Sequence, residues 1–151
     1  MIVVSACLVG VRCRYNGGSR RSARVLKLLK GKNFIPVCPE QLGGLPTPRI
    51  PSQISSGSGL DVISRRSRVK SADGTDVTRQ FLKGAREALK IVKLSGATRA
   101  ILKDRSPACG VNHIYQEKKL VKGMGVFTAI LYREGIEVRD ESGQIYTKKT
   151  M

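Results

Sequence analysis

Short apolar runs that alternate with helical patterns are the feature that most constrains the fold of this 151-residue chain. The runs lie at residues 2–4, 34–37, 100–102 and 136–138. Between them, apolar residues recur at the spacing of one helix face. Parallel strands need crossover connections, which are usually helices, so this alternation favours a mostly parallel sheet with helices on both faces. We therefore predict an α/β fold, a Rossmann-like three-layer sandwich.

Turn and cap residues set the bounds of the predicted helices. The helices lie between Ser22 and Gly31, between Asp76 or Thr78 and Gly96, and over residues 126–132 with Gly135 as the stop. The density of proline and glycine in 39–51 excludes a helix there and predicts a rigid loop. Val62-Ile63 and Val69 flank a basic turn and predict a small hairpin or edge strand.

Length and composition limit the class of protein. Residues 1–151 are predicted to form a single domain, and no apolar run approaches the roughly 20 residues that cross a bilayer. No export signal is recognisable, so we expect a cytoplasmic protein without membrane association, whose four cysteines are ligands or catalysts rather than disulfides.

The chain is strongly basic. Lys and Arg total 28 against 11 Asp and Glu, a formal net charge of +17, with local clusters at Arg20-Arg21, 65–68 and Lys148-Lys149. Such a charge attracts phosphate backbones, so RNA is a candidate partner through the basic surface. A solvated basic surface that only keeps the protein in solution is the alternative. The sequence leaves the oligomeric state open.

Three cysteines follow the ends of three different predicted strands. Cys7 lies just past the first strand, Cys38 directly follows Val37, and Cys109 follows Leu102 after a short polar loop. The carboxyl ends of parallel strands meet at one edge of the sheet, where ligands of open α/β sheets bind. We therefore expect these three thiols to converge in space.

Three thiolates at one edge suit a soft metal or an iron-sulfur cluster, and three rather than four leave one iron open as a Lewis acid. Cys13, the fourth cysteine, is predicted to lie outside the cluster. Zinc is the competing metal, although paired C-x-x-C spacing is absent and His113 is the only histidine. A thiol-based redox enzyme that uses Cys7 and Cys13 is a further alternative.

Several blocks of the sequence resemble the thiouracil desulfurase family, whose members were long grouped as a domain of unknown function. The blocks are SACLVG at 5–10, CRYNGG at 13–18, PVCPEQLGGLPTPR at 36–49, SPACG at 106–110 and GTDVT at 74–78. The resemblance implies a 4Fe-4S cluster on three cysteines, which carry over onto Cys7, Cys38 and Cys109. It also implies direct transfer of sulfur to the fourth iron from a thiolated pyrimidine such as 2-thiouracil, giving uracil and sulfide.

Polar residues beside these cysteines are candidates for the remaining chemistry. Glu40, two residues after Cys38, is the candidate base or proton shuttle, and Ser106 is a candidate to orient substrate, although it could simply shape its turn. The candidate substrate-binding side chains are Arg14, Tyr15 and Arg49. Asp104 is a weaker carboxylate candidate, and His113 is interpreted as a loop residue.

Three functions from different classes follow. The first is desulfuration of a small thiolated base. The second uses the same cluster but takes thiouridine within tRNA as its substrate, and binding of tRNA phosphates would account for the high positive charge. The third is a non-catalytic, zinc-containing basic module that binds nucleic acid.

Overall fold

The computed structural model describes residues 1–146, so the Lys148-Lys149 cluster lies outside the described residues. Its strands are β1 (Ile2–Ser5), β2 (Phe34–Val37), β3 (Ser52–Ile54), β4 (Val69–Ser71), β5 (Arg99–Leu102), β6 (His113–Gln116), β7 (Lys119–Lys122) and β8 (Glu137–Asp140). Its α-helices are α1 (Ala23–Leu29), α2 (Pro39–Leu42), α3 (Gly59–Ile63), α4 (Thr78–Ser95) and α5 (Val126–Arg133). No helix in this described part is long and apolar enough to cross a membrane.

A four-stranded parallel sheet forms the centre, in the order β2-β1-β5-β8. Because side chains alternate along a strand, β1 contributes to both faces. Ile2 and Val4 pack on α1, whereas Val3 faces the larger core that α4 and α5 cover. The predicted α/β architecture with helices on both faces is confirmed.

The long helix α4 is the main support of the larger core. Its buried side chains lie on one face at helical spacing, and Gly96 ends it in the left-handed conformation with a φ of 70°. The predicted helices before Gly31 and Gly135 are also present as α1 and α5, and Ser22 accepts a hydrogen bond from the Val25 N–H at 3.2 Å.

Two predictions between β2 and α4 are wrong. The segment 39–51 does contain a helix, α2, because Pro39 stands at a first-turn position where its missing N–H costs no hydrogen bond. Val62 and Ile63 belong to α3 rather than to a strand, while the Val69 strand pairs with β3 in an antiparallel hairpin.

A second antiparallel hairpin joins β6 to β7. Both hairpins lie outside the parallel sheet. The predicted alternation of strands and helices describes only the parallel sheet, so β3, β6 and β7 were not predicted.

Candidate active site at the carboxyl edge of the sheet

The three predicted cysteine ligands follow three neighbouring strands. Cys7 lies in a single 3-10 turn, Ala6–Val9, directly after β1. Cys38 follows β2 as the N-cap residue of α2, and Cys109 lies in the turn after β5. Since β2, β1 and β5 are adjacent in the sheet, all three residues are at its carboxyl edge.

The fourth cysteine lies against two of the others. The Cys13 thiol contacts those of Cys7 and Cys38, and the Cys38 Sγ lies 3.8 Å from the Cys13 carbonyl oxygen. All four cysteines are free thiols, and Cys7, Cys13 and Cys109 are buried. The exclusion of Cys13 from the ligand set stays a prediction, but its thiol is adjacent to the predicted ligands.

Burial and contacts between cysteines raise the pKa of Cys13 and Cys38, and burial raises that of Cys109, so these three thiols are protonated at neutral pH when no cation is bound. Contact with Cys38 lowers the pKa of Cys13, but contact with Cys7 and burial outweigh it and raise this pKa to about 11. Contact with Cys13, then burial, raises the pKa of Cys38 well above its usual range, and burial raises the pKa of Cys109. A bound cation would have to displace these protons, because the thiolate is the ligand form.

A largely buried ion pair lies beside the cysteines. Glu40, in the first turn of α2, pairs with the Arg49 guanidinium, whose side chain is only 6% exposed. The same guanidinium donates to the Cys13 carbonyl oxygen at 2.9 Å and to the Thr47 hydroxyl at 3.1 Å. Arg49 thus connects the carboxylate after Cys38 to the loop that carries Cys13.

Arg14 and Tyr15 occupy the outer part of the same loop. Tyr15 is 41% exposed, and the Arg14 guanidinium lies over its ring at 5.4 Å from the centroid. The Tyr15 carbonyl accepts a hydrogen bond from the Arg49 N–H at 2.8 Å. The backbone of Tyr15 is therefore bonded to that of Arg49, the third predicted substrate-binding residue, while the Tyr15 side chain is exposed to solvent.

Ser106 shapes the turn that carries Cys109. Its hydroxyl oxygen accepts hydrogen bonds from the N–H groups of Ala108 and Cys109, both at 3.1 Å. Thr128, buried on α5, donates to the Cys109 carbonyl at 3.0 Å. The Ser106 hydroxyl proton takes no part in the two bonds from Ala108 and Cys109, so it can still donate to a substrate.

The donor set fits an iron-sulfur cluster by its chemistry. Soft thiols are the groups that come together at this edge, and thiolates are the usual ligands of such clusters. Within residues 1–146, no group of three or more His, Cys, Asp or Glu side chains is arranged to hold a single metal ion.

Comparison with known proteins decides the family. The model of the 2-thiouracil desulfurase family matches residues 2–143. The chain belongs to that family. The resemblance that the cysteine blocks indicated is thereby confirmed over nearly the whole chain.

The chain is also similar to one curated protein and to one solved structure. YbbK of Bacillus subtilis is 41% identical over 145 residues, which cover 94% of this chain and 96% of YbbK. A solved structure, the 4Fe-4S-dependent thiouracil desulfidase TudS, matches with a TM-score of 0.81 and 38% identity. That match covers 93% of this chain and 90% of the TudS chain, so the two share the whole fold.

The chain also has a buried serine at this edge that the sequence analysis missed. Ser5, the last residue of β1, contacts the Cys109 thiol and accepts a hydrogen bond from the Lys103 N–H at 2.9 Å. A hydroxyl in an otherwise apolar strand is the signal that could have identified it.

Asp104 stabilises the loop between β5 and β6. Its Oδ1 accepts from the N–H groups of Val111, Asn112 and His113 at 2.8 to 3.0 Å, and its Oδ2 lies 3.1 Å from His113 Nδ1. Burial raises the pKa of Asp104, but these hydrogen bonds together outweigh it, so the net pKa lies below the usual value. Asp104 and His113 therefore form one hydrogen-bonded unit that fixes the loop after Cys109.

Proposed function

We propose that this chain removes sulfur from a thiolated pyrimidine such as 2-thiouracil and releases uracil and sulfide. A 4Fe-4S cluster on Cys7, Cys38 and Cys109 would serve the reaction. The observation that carries the proposal is the convergence of these three residues at the ends of three adjacent strands, in a member of this family. The likeness to the 4Fe-4S-dependent desulfidase TudS supports the choice of cofactor.

When bound, the cluster supplies one iron without a protein ligand, a soft Lewis acid suited to hold a thiocarbonyl sulfur. The overall change is a hydrolysis: the oxygen of water replaces sulfur on carbon, and the sulfur leaves as hydrogen sulfide. No electrons are gained or lost, so no external oxidant or reductant is needed.

The chain's own residues would move protons and orient the base. Glu40 is proposed to take a proton from the attacking water, and its pairing with Arg49 fixes the direction of the carboxylate. The Ser106 hydroxyl would donate to a polar edge of the pyrimidine. Arg14 and Tyr15 would bind its outer side, where the loop is open to solvent.

Anaerobic reconstitution with iron and sulfide tests the proposal. We expect a brown protein with about four irons per chain that converts 2-thiouracil to uracil. Cys109→Ala should lose iron and activity while keeping the fold, which circular dichroism would check. A colourless protein that binds zinc and leaves 2-thiouracil intact would overturn the desulfurase proposal in favour of a zinc-containing module.

Cys13 provides the matched control among the cysteines. If it lies outside the ligand set as predicted, Cys13→Ala keeps about four irons per chain, whereas the same change at Cys7 or Cys38 does not. If Cys13→Ala loses its iron and one of the other variants keeps it, Cys13 is a ligand in place of that other cysteine.

We also propose that the protein works in a reducing cytoplasm, which would keep the free thiols available as ligands.

A further inference from the structure

A cavity lined by basic side chains lies between α3 and the first half of α4. Its volume is about 610 Å³, and it is open to solvent. The basic side chains on its walls are Arg65, Arg68, Arg79, Lys83 and Arg86. We call this cavity the basic groove.

The positive charge of the basic groove is only partly neutralised by the protein. Arg68 pairs with Asp76 at 2.8 Å, but within residues 1–146 no carboxylate lies within ion-pair distance of the other four basic side chains. No acidic residue of this described part lines the groove. Clustered like charges destabilise a folded protein through repulsion, which a bound polyanion would relieve.

The basic groove is next to the candidate active site. Gly43, the C-cap of α2, lies on its wall, and Cys38 is the N-cap of the same helix. Because α2 has four residues, its two ends are only about 6 Å apart along its axis. The wall of the basic groove at Gly43 is therefore one short helix away from Cys38.

The number of cations points to a chain of phosphates rather than to one. A single phosphate monoester carries a charge of about −1.5 to −2, less than the charge of the four basic side chains that have no ion-pair partner. A smaller hollow towards α5 shares Arg86 with the basic groove and is also lined by Arg133 and by Glu134, a carboxylate that pairs with Lys93 at 3.6 Å. The basic surface is thus extended along the molecule, as a phosphodiester backbone requires.

We propose that the basic groove binds the backbone of RNA and so presents a thiolated uridine to the cysteine site. The desulfuration itself rests on the function proposed above, but the binding of RNA does not. The tRNA alternative raised by the sequence thereby gains a defined surface, which the charge of +17 alone could not supply.

Charge neutralisation tests the basic groove in the intact protein. The triple variant Arg79→Gln, Lys83→Gln, Arg86→Gln removes three cations from its wall. Its matched control, Lys27→Gln, Lys30→Gln, Lys32→Gln, removes three exposed cations in and after α1, on the opposite face of the sheet. Both variants lose the same net charge, and circular dichroism would check that both fold.

The first measurement is the affinity for a fluorescent, unmodified transfer RNA as a function of salt. We expect the groove variant to bind about tenfold or more weakly and its log–log salt slope to fall by about 2 to 3, because each lost phosphate contact removes nearly one unit. The control should change little. Equal weakening of both variants, or no binding by the wild type, would overturn the proposal.

Two competitors separate RNA from other anions. Uridine monophosphate and vesicles that contain phosphatidylserine should not displace the RNA. Both are added at concentrations too low to screen the charges of the groove or to saturate the protein. Displacement by the nucleotide would assign the groove to one phosphate, and displacement by vesicles would assign it to a membrane surface; either result overturns the RNA proposal.

Turnover distinguishes this inference from the function on which it rests. With reconstituted enzyme, the groove variant should raise KM for thiolated transfer RNA while leaving the turnover of free 2-thiouracil unchanged. Failure of all desulfuration with intact RNA binding would refute the proposed function but not the groove. Unchanged KM for the RNA in the groove variant would refute the groove alone.

Discussion

At the scale of single residues, Arg49 organises the polar side of the site. Its guanidinium joins Glu40, the Thr47 hydroxyl and the Cys13 carbonyl, and the side chain is almost entirely buried. A planar fork with several donors can hold such partners at once, which a lysine cannot do. Arg49 is thus placed to position the proposed base, and its binding of substrate stays a prediction.

Glu40→Gln tests the role of this carboxylate. The substitution keeps the shape and removes the ability to accept a proton, so we expect kcat to fall about 100-fold or more with iron content unchanged. Steady-state rates with 2-thiouracil and an iron assay would measure both. Glu87→Gln, at an exposed carboxylate on α4, is the control and should keep full activity. Wild-type rates in the Glu40 variant would exclude a proton-transfer role.

Asp104 affects stability rather than chemistry. Asp104→Ala leaves three backbone N–H groups without their acceptor, so we expect the free energy of unfolding at pH 7 to fall by about 3 kcal/mol. Asp73→Ala, which removes an exposed turn carboxylate, should cost much less. Urea unfolding of iron-free protein would measure both.

The low pKa of Asp104 fixes the pH dependence of this effect. Because the folded-state pKa lies below the unfolded value, the stabilisation is fully present above about pH 4 and is lost as the pH falls through the folded value. The difference in unfolding free energy between wild type and Asp104→Ala should therefore shrink in acid. A constant difference from pH 7 to pH 3 would contradict the assignment.

At the scale of elements, the contact between α2 and α4 positions Cys38 and Glu40. A Cβ on Gly84 would overlap the Pro39 carbonyl, and one on Gly43 would overlap the Gln80 carbonyl. Backbone meets backbone at both points, so neither neighbour can turn away as a flexible side chain would. The two helices are in contact only because glycine stands at both positions.

Gly84→Ala should therefore displace α2. Alanine normally stabilises a helix interior by up to about 1 kcal/mol over glycine, but here we expect lower stability and weaker iron retention because Cys38 moves with α2. Lys90→Ala, at an exposed position of the same helix, is the control and should retain both. Thermal unfolding and iron content after gel filtration would measure the effect. A Gly84 variant that is more stable than the wild type and fully loaded with iron would show that the helices can separate without consequence.

The elements that the sequence analysis missed have physical explanations. The β6–β7 hairpin turns through Glu117 and Lys118, both at positive φ, where Asn-Gly would have indicated the turn. The helix α3 begins with a capping box between Ser58 and Asp61, a local signal that the serine- and glycine-rich composition obscured. Proline density was misleading at Pro39, because a proline at the start of a helix does not oppose it.

At the scale of the whole molecule, one topological rule accounts for what the sequence could predict of the site. Cys7, Cys38 and Cys109 each follow a strand, and the order β2-β1-β5 makes those strands neighbours. Cys13 follows no strand, so its place depends on the path of its loop. Arg49, 36 residues further on, fixes that path through the Cys13 carbonyl, and no local pattern could reveal such a contact.

Ligands from three strands should also couple the cofactor to the stability of the whole fold. Residues 7, 38 and 109 are distant in sequence, so a cluster that binds all three recognises only the folded chain and stabilises it. We expect reconstitution to raise Tm by about 5 °C or more, since about 2 kcal/mol shifts a chain of this length by that amount. Anaerobic scanning calorimetry before and after iron loading would measure the rise. Cys109→Ala should show no rise in Tm, because without this ligand the cluster is no longer attached to the chain after β5. An equal rise in that variant would mean that the iron is held elsewhere.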